Sequence, residues 1–255
     1  MDQAEPRSAH THAVPAETDR PPLVRADRSA AENFAQLAMA MHDAGGVEET
    51  VDAVVQFALQ ALSCTYAGVA LYTSRAKRIE IPAVTDPVVA EIYRLQLEGQ
   101  EGPLAETMRD RATVLVRDTL TETRWPGWAS KVAGLGVRSV LDVPLKLGAE
   151  SRTVGVLGLY SPVPDGFSAD DEAIADILAR HATVAVAAAR KVENMAAAVD
   201  ARKVVGQAMG ILMERYDLGE DQAFAVLRRY SQDTNTKLHD VARQLIETRK
   251  LPTAE

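Results

Sequence analysis

Between Ser168 and Tyr216 the chain runs about 49 residues without a proline, and the only glycines in that stretch, Gly206 and Gly210, fall late. As one helix it spans roughly 73 Å at 1.5 Å per residue, more than the diameter of a small domain. Such a helix joins parts of a molecule. Ser168 is placed to cap its first free amides, and Asp170, Asp171 and Glu172 suit its positive N-terminal end. Ile174, Leu178, His181, Ala185, Ala188, Val192, Met195 and Val199 follow at alternating steps of four and three. This is the spacing with which helices pair in coiled coils, and its alanines let backbones approach closely. The first half of the seam can instead pack on a sheet; the expectation is that the seam also dimerises the protein.

Upstream the pattern is mixed. Residues 1–28 carry Pro6, Pro15, Pro21 and Pro22 without periodicity and read as a disordered tail. His10 and His12 within it read as ordinary solvated residues rather than metal ligands. From about Ser29, Phe34, Leu37, Ala38 and Met41 share a helix face that Gly45-Gly46 ends. Val51, Val54, Val55, Ala58, Leu59 and Leu62 share a second. The period then shortens. Tyr66–Thr73 and, more weakly, Arg78–Val84 read as strands, Pro87–Leu97 as a helix, and Thr113–Val116 as a short strand. Val137–Leu147 and Thr153–Tyr160, separated by Gly148 and polar residues, read as a hairpin. Together they predict an α+β fold on one mixed sheet with flanking helices. Past Tyr216, Gly219 opens a helix with Ala223, Val226, Leu227 and Tyr230 on one face. Asn235-Thr236 precedes a last helix carrying Leu238, Val241, Ala242, Leu245 and Ile246. With the end of the long helix these make a C-terminal three-helix bundle.

Composition narrows the function classes. A chain of 255 residues, 47% hydrophobic and 25% charged, has the make-up of a soluble globular protein. No apolar run approaches the roughly 20 residues that a membrane span needs, and the N-terminus lacks the order of a signal peptide. The expectation is a cytoplasmic protein with no membrane partner. The single cysteine, Cys64, excludes an internal disulfide framework. Net charge is −8, yet residues 193–255 balance nine Lys and Arg against ten Asp and Glu, so the acidity belongs to the rest. That argues against broad, non-specific nucleic-acid binding and leaves room for a small specific contact. No GxSxG, P-loop, HExxH or zinc spacing occurs, and His42, His181 and His239 stand isolated. No catalytic residue, metal ligand or cofactor is assigned, and an enzyme is not expected.

The run Ala201–Met213 carries a pattern that Ala223-Phe224, Leu227-Arg228, Ser231-Gln232, Asn235-Thr236-Lys237-Leu238 and Val241-Ala242 continue in order. It resembles an ANTAR domain, placed at 193–252. Glu101-Gly102-Pro103-Leu104, Arg124-Trp125-Pro126, Gly136-Val137-Arg138-Ser139, Val143-Pro144-Leu145 and Gly155-Val156-Leu157-Gly158-Leu159-Tyr160-Ser161 are looser motifs. They are similar to those of a GAF domain, placed at 29–190, with residues 168–200 as the connecting helix. The first resemblance implies an RNA-binding output that acts in transcription antitermination, recognising paired stem-loops in leader RNA, usually as a dimer. The second implies a sensor for a small-molecule effector, of a kind the sequence does not name. Cys64 reads as a buried apolar residue rather than a bilin attachment point.

RNA specificity is read mostly on unpaired bases, by stacking and by hydrogen bonds to base edges. Arg228, Ser231, Gln232 and Asn235 share one helical face, and Lys237 follows at the start of the last helix, where phosphate binding is natural. Arg202, Lys203 and Gln207 offer a second edge. Gly210 hints at close helix packing or close RNA approach, since glycine within a helix costs about 1 kcal/mol against alanine. On charge alone these residues are the solvated face of a bundle; the ordered resemblance turns the reading to RNA. Trp125, Trp128 and Arg138 are the candidate ligand contacts in the sensor. The expected mechanism is a population shift in which the signal changes pairing along Ile174–Val199. Two rivals are a DNA-binding helix-turn-helix regulator and a GAF-like small-molecule enzyme such as a reductase.

Overall fold

The computed structural model describes residues 22–73, 78–147 and 153–251. Its elements run α1 (Pro22–Asp43), α2 (Val47–Ala61), β1 (Tyr66–Thr73), β2 (Arg78–Val84), α3 (Pro87–Gly99), α4 (Pro103–Asp110) and β3 (Val114–Val116). There follow α5 (Pro126–Gly134), β4 (Ser139–Lys146), β5 (Thr153–Ser161), α6 (Ala169–Tyr216), α7 (Glu220–Asp233) and α8 (Leu238–Thr248). Tail residues 1–21, with His10 and His12, lie outside the described residues, as do Gly148 and the rest of the β4–β5 turn.

Proline opens four of the helices: Pro22, Pro87, Pro103 and Pro126 each take the first helical position. There the missing N–H would have had no partner and the fixed φ is already helical. This moves the start of α1 from the expected Ser29 back to Pro22. It also produces α4 and α5, of eight and nine residues, which the periodicity did not reveal because two turns are too few to establish a phase.

The sheet has the order β2-β1-β5-β4-β3, and every neighbouring pair is antiparallel. β4 and β5 form the expected hairpin, with Asp142 opposite Gly158 and Leu141 opposite Leu159. Both faces are covered. Val69, Leu71, Leu141, Val143, Leu157 and Leu159 face α1, α2 and α6. The alternate positions, Ala70, Val140, Val156 and Tyr160, face α3, α4 and α5 with Val89, Ile92, Leu104 and Trp128. Period-two alternation thus sorts the strands into two cores.

α6 is one unbroken helix of 48 residues. Ser168 and Asp171 form a capping box at its start, and Asp171 also accepts a hydrogen bond from the Ser63 amide at 3.0 Å, fixing α6 to the α2–β1 connection. Ala175, Leu178, Ala179, Ala182 and Val186 make its sheet-facing stripe. Its far end packs with α7 and α8 around Ala208, Leu212, Ala223, Leu227, Val241, Ala242 and Leu245.

Candidate functional site

The polar residues expected to read RNA fall into three groups. At the α7–α8 turn, Ser231 Oγ donates to the Thr236 carbonyl at 2.6 Å, and Asn235 takes a left-handed φ of 50°. The Ser231 hydroxyl hydrogen is therefore committed to closing the turn, which leaves its oxygen as an acceptor only. Arg228, Gln232 and Asn235 remain exposed around it, and Lys237 stands at the N-cap position of α8. Among the described residues no ion pair engages Arg228 or Lys237, whereas neighbouring Arg229 pairs with Asp233. The turn therefore presents two uncommitted cations, two amides and the free N–H groups of a helix start.

On α6, Arg202 parts from Lys203, Gln207 and Gly210. The latter three recur at steps of four and three on one exposed stripe. Arg202 instead borders a groove of about 560 Å³ with Val205, Gly206, Met209, Phe224 and Leu238. A Cβ added at Gly210 would meet nothing within 4 Å. Close packing among the described residues is thus excluded as its reason.

The seam divides at the edge of the sheet. Leu178 is fully buried in the sheet core and Ile174 packs at its margin, while the His181 ring lies 5.9 Å from that of Phe34. Leu178 is therefore unavailable for pairing, and this corrects the seam at that position. The cause is the drift of about 20° per heptad between a straight helix and a 3.5-residue repeat. Ala185, Ala188 and Val192 border a groove of about 490 Å³ beside α1. Every residue from 191 to 200 is exposed, including Val192 at 66%, Met195 at 61% and Val199 at 64%. The alternation of three and four then continues through Arg202, Gly206, Met209, Met213 and Tyr216, a continuation hidden from the apolar pattern by Arg202 and Gly206.

The sheet face toward α3–α5 holds a polar cluster that sequence reading missed. Gly68 and Gly158 are cross-strand partners, and Gly158 lies opposite Asp142. A Cβ at Gly68 would stand 2.9 Å from the Tyr93 ring. One at Gly158 would stand 2.5 Å from Tyr160 Oη, 2.8 Å from Tyr93 Oη and 3.0 Å from Asp142 Oδ1. The two glycines leave a trough in which Tyr93 lies, edge-on to Tyr160 at 6.3 Å between centroids. Asp142, Tyr93 and Tyr160 are wholly buried. Neither Asp142 oxygen has a hydrogen-bond partner among the described residues, and the two phenols engage only each other and the Gly158 backbone, without good geometry. Burial alone pushes the Asp142 carboxyl up to about 8, so no nearby cation offsets its cost. The available signal was a lone acid within the otherwise apolar run Val140–Leu145 of β4.

Of the expected ligand contacts, Trp128 is buried in this same layer with its indole N–H unpartnered. Trp125 packs edge-on against it at 5.9 Å, beneath the Arg124 guanidinium. Arg138 is not with them: its Nε and Nη2 donate to the two Asp118 oxygens at 2.9 and 2.8 Å, so it fastens the loop before α5 to β4. Cys64 is half-buried, and burial raises its thiol to about 11, far above the range of reactive thiolates.

Where α6 leaves the sheet, Glu193 Oε1 accepts a hydrogen bond from the Val47 amide at 2.8 Å, and Arg190 donates to the Tyr72 carbonyl at 3.2 Å. No helix among the described residues is long and apolar enough to cross a membrane.

Comparison with known proteins agrees with this division. The GAF domain family model matches residues 44–187 and the ANTAR domain model residues 193–246. Among solved structures, the GAF domain of a phosphoenolpyruvate-protein phosphotransferase from Coxiella burnetii is 17% identical with a TM-score of 0.51, over 64% of this chain and 96% of that one. The free methionine-R-sulfoxide reductase from Neisseria meningitidis, in complex with its substrate, is 17% identical with a TM-score of 0.50, over 71% and 99%. At this identity the likeness is one of fold. No curated protein matches the chain. With the sensor fold on one side of α6 and the three-helix bundle on the other, the chain belongs to the GAF–ANTAR regulators, a GAF sensor domain followed by an ANTAR RNA-binding domain.

Proposed function

We propose that the protein is a homodimeric transcription antiterminator whose paired ANTAR domains hold two stem-loops of a leader RNA, gated by a small-molecule effector in the GAF domain. The observation that carries this reading is the continuity of α6, which enters both hydrophobic cores without a break. A change in how two such helices pair at the sensor end alters the spacing and rotation of the two RNA-binding bundles at the other. An effector does this only by binding the two arrangements unequally. The cations that contact phosphate are Arg228 and Lys237 at the α7–α8 turn, with Lys203 on the outer stripe of α6. Gln232, Asn235 and Gln207 supply the amides for base edges. Single-stranded loops suit such a site because their bases are free to meet amides and cations.

The test is binding of the full chain to a two-hairpin leader RNA, a single hairpin and duplex DNA at one salt concentration. Selective two-hairpin binding is expected. Arg228→Ala and Lys237→Ala each weaken it about tenfold, the worth of one charge-assisted contact. Each also lowers the salt slope by about 0.7, the share of one phosphate on single-stranded nucleic acid. A preference for duplex DNA would return the reading to a helix-turn-helix regulator. Equal binding to one and two hairpins would remove the paired geometry.

A further inference from the structure

We infer that the buried Asp142–Tyr93–Tyr160 cluster is the recognition site for the sensor's effector, and that the effector is a small aliphatic ammonium ion. The inference rests on the reading of this body as a sensor and adds the chemistry of what it senses.

The argument begins with the atoms. When ionised, Asp142 offers two acceptor oxygens and no donor. Both are sealed from solvent without a hydrogen bond. Around them stand two phenols, which engage each other and the Gly158 backbone but leave Asp142 without a bond, brought within reach by the missing side chains of Gly68 and Gly158. An uncompensated carboxyl of this kind is expensive and rare in folded cores, and here it converges from β4 with phenols from α3 and β5. No lysine, arginine or histidine contributes to the Asp142 environment. With no cation of the protein's own beside it, the carboxyl keeps its proton up to about 8, and an ammonium ion completes the site by displacing that proton to solvent and donating to the bared oxygens. An anion is repelled by Asp142, and a neutral hydrocarbon leaves all the acceptors bare.

The walls set the rest of the ligand. Val89, Ile92, Val140 and Val156 surround the cluster in the same core layer, so the carbon skeleton is short and aliphatic. The cover is α4 and α5, two helices of eight and nine residues, and an occupant enters by displacing them. Trp128 lies on α5 within this layer with its indole N–H unpartnered, so occupancy changes the surroundings of one of the chain's two tryptophans.

The experiment titrates the full chain with butylammonium, butanol and butyrate, probes of matched size that are cationic, neutral and anionic. Tryptophan fluorescence and the melting midpoint are the readouts. Only butylammonium is expected to give a saturable fluorescence change and a raised midpoint. In Asp142→Asn, which keeps the shape and removes the charge, its affinity falls about tenfold or more, the worth of a charge-assisted hydrogen bond. A normal melting transition for the variant separates this loss from misfolding. Equal responses to butanol or butyrate, an unchanged affinity in Asp142→Asn, or no response to butylammonium would each overturn the assignment. None of these readouts involves RNA. Failure of leader-RNA binding with an intact amine response would sink the RNA reading and leave this one standing.

Discussion

A carboxyl group enclosed by aliphatic side chains persists only if it is protonated or paired. Asp142 is held up at about 8 by burial, against an ordinary aspartate value near 4 in the unfolded chain. The folded state therefore binds the proton more tightly than the unfolded state does. Stability is undiminished below the unfolded value and drains away as pH rises toward about 8, beyond which the loss levels off. Asp142→Asn removes this linkage. It is expected to be more stable than the wild type by a few kcal/mol at pH 8, with a melting midpoint raised about 2–4 °C for each kcal/mol. The gain shrinks steadily down to pH 5, and urea denaturation at three pH values measures it. A gain independent of pH would mean that Asp142 does not titrate in the fold. The residue was not legible as a site because both faces of β4 are buried. An acid in such a strand looks like a defect until its cross-strand partner is known to be a glycine.

Elements were legible where their period had room to repeat. α2, α6 and the β4–β5 hairpin follow from apolar spacing, and α4 and α5 do not, being short and announced only by Gly102-Pro103 and Trp125-Pro126. Contacts between distant elements were beyond reach. The N-terminus of α2 is the clearest case. Its N-cap is Gly46, which has no side chain to cap it, and the Val47 amide is satisfied by Glu193 from 146 residues away. A carboxylate there also meets the positive end of the α2 dipole. Glu193→Ala is expected to cost about 0.5–2 kcal/mol, the range for loss of a helix cap, with faster amide exchange at residues 47–50. Glu193→Gln, which keeps an acceptor, recovers part of it. Unchanged exchange in the alanine variant would show that α6 is not clasped to the sensor at this point. On the same helix, Gly210→Ala meets no steric obstacle and is expected to stabilise the free protein by about 1 kcal/mol. A simultaneous loss of RNA affinity would assign Gly210 to close approach by the RNA backbone.

At the scale of the whole molecule the question is what covers α6 between its two cores. Ten consecutive exposed residues carry Val192, Met195 and Val199 at seam spacing, and the same register runs on to Met213 and Tyr216, both exposed. A second α6 in parallel register would bury these side chains against their equals, knob into hole. It would also set two α7–α8 turns side by side, giving a two-hairpin RNA an advantage of roughly 10²–10⁴ over a single hairpin through linkage alone. Met195 is the best position to test this. It lies in the middle of the bare segment and outside all three hydrophobic cores, so Met195→Glu leaves the fold of each chain intact, and any drop in melting midpoint is the part that pairing contributed. Two glutamates facing one another across an apolar seam are expected to weaken pairing on the order of a hundredfold. Light scattering at micromolar protein would then report a monomer mass. The variant would bind a single hairpin with wild-type affinity and lose its preference for two. A monomer that kept the preference would mean that one chain reads both stem-loops. An unchanged dimer mass would move the pairing surface away from this stretch of α6, to the groove beside α1 or the one beneath Phe224.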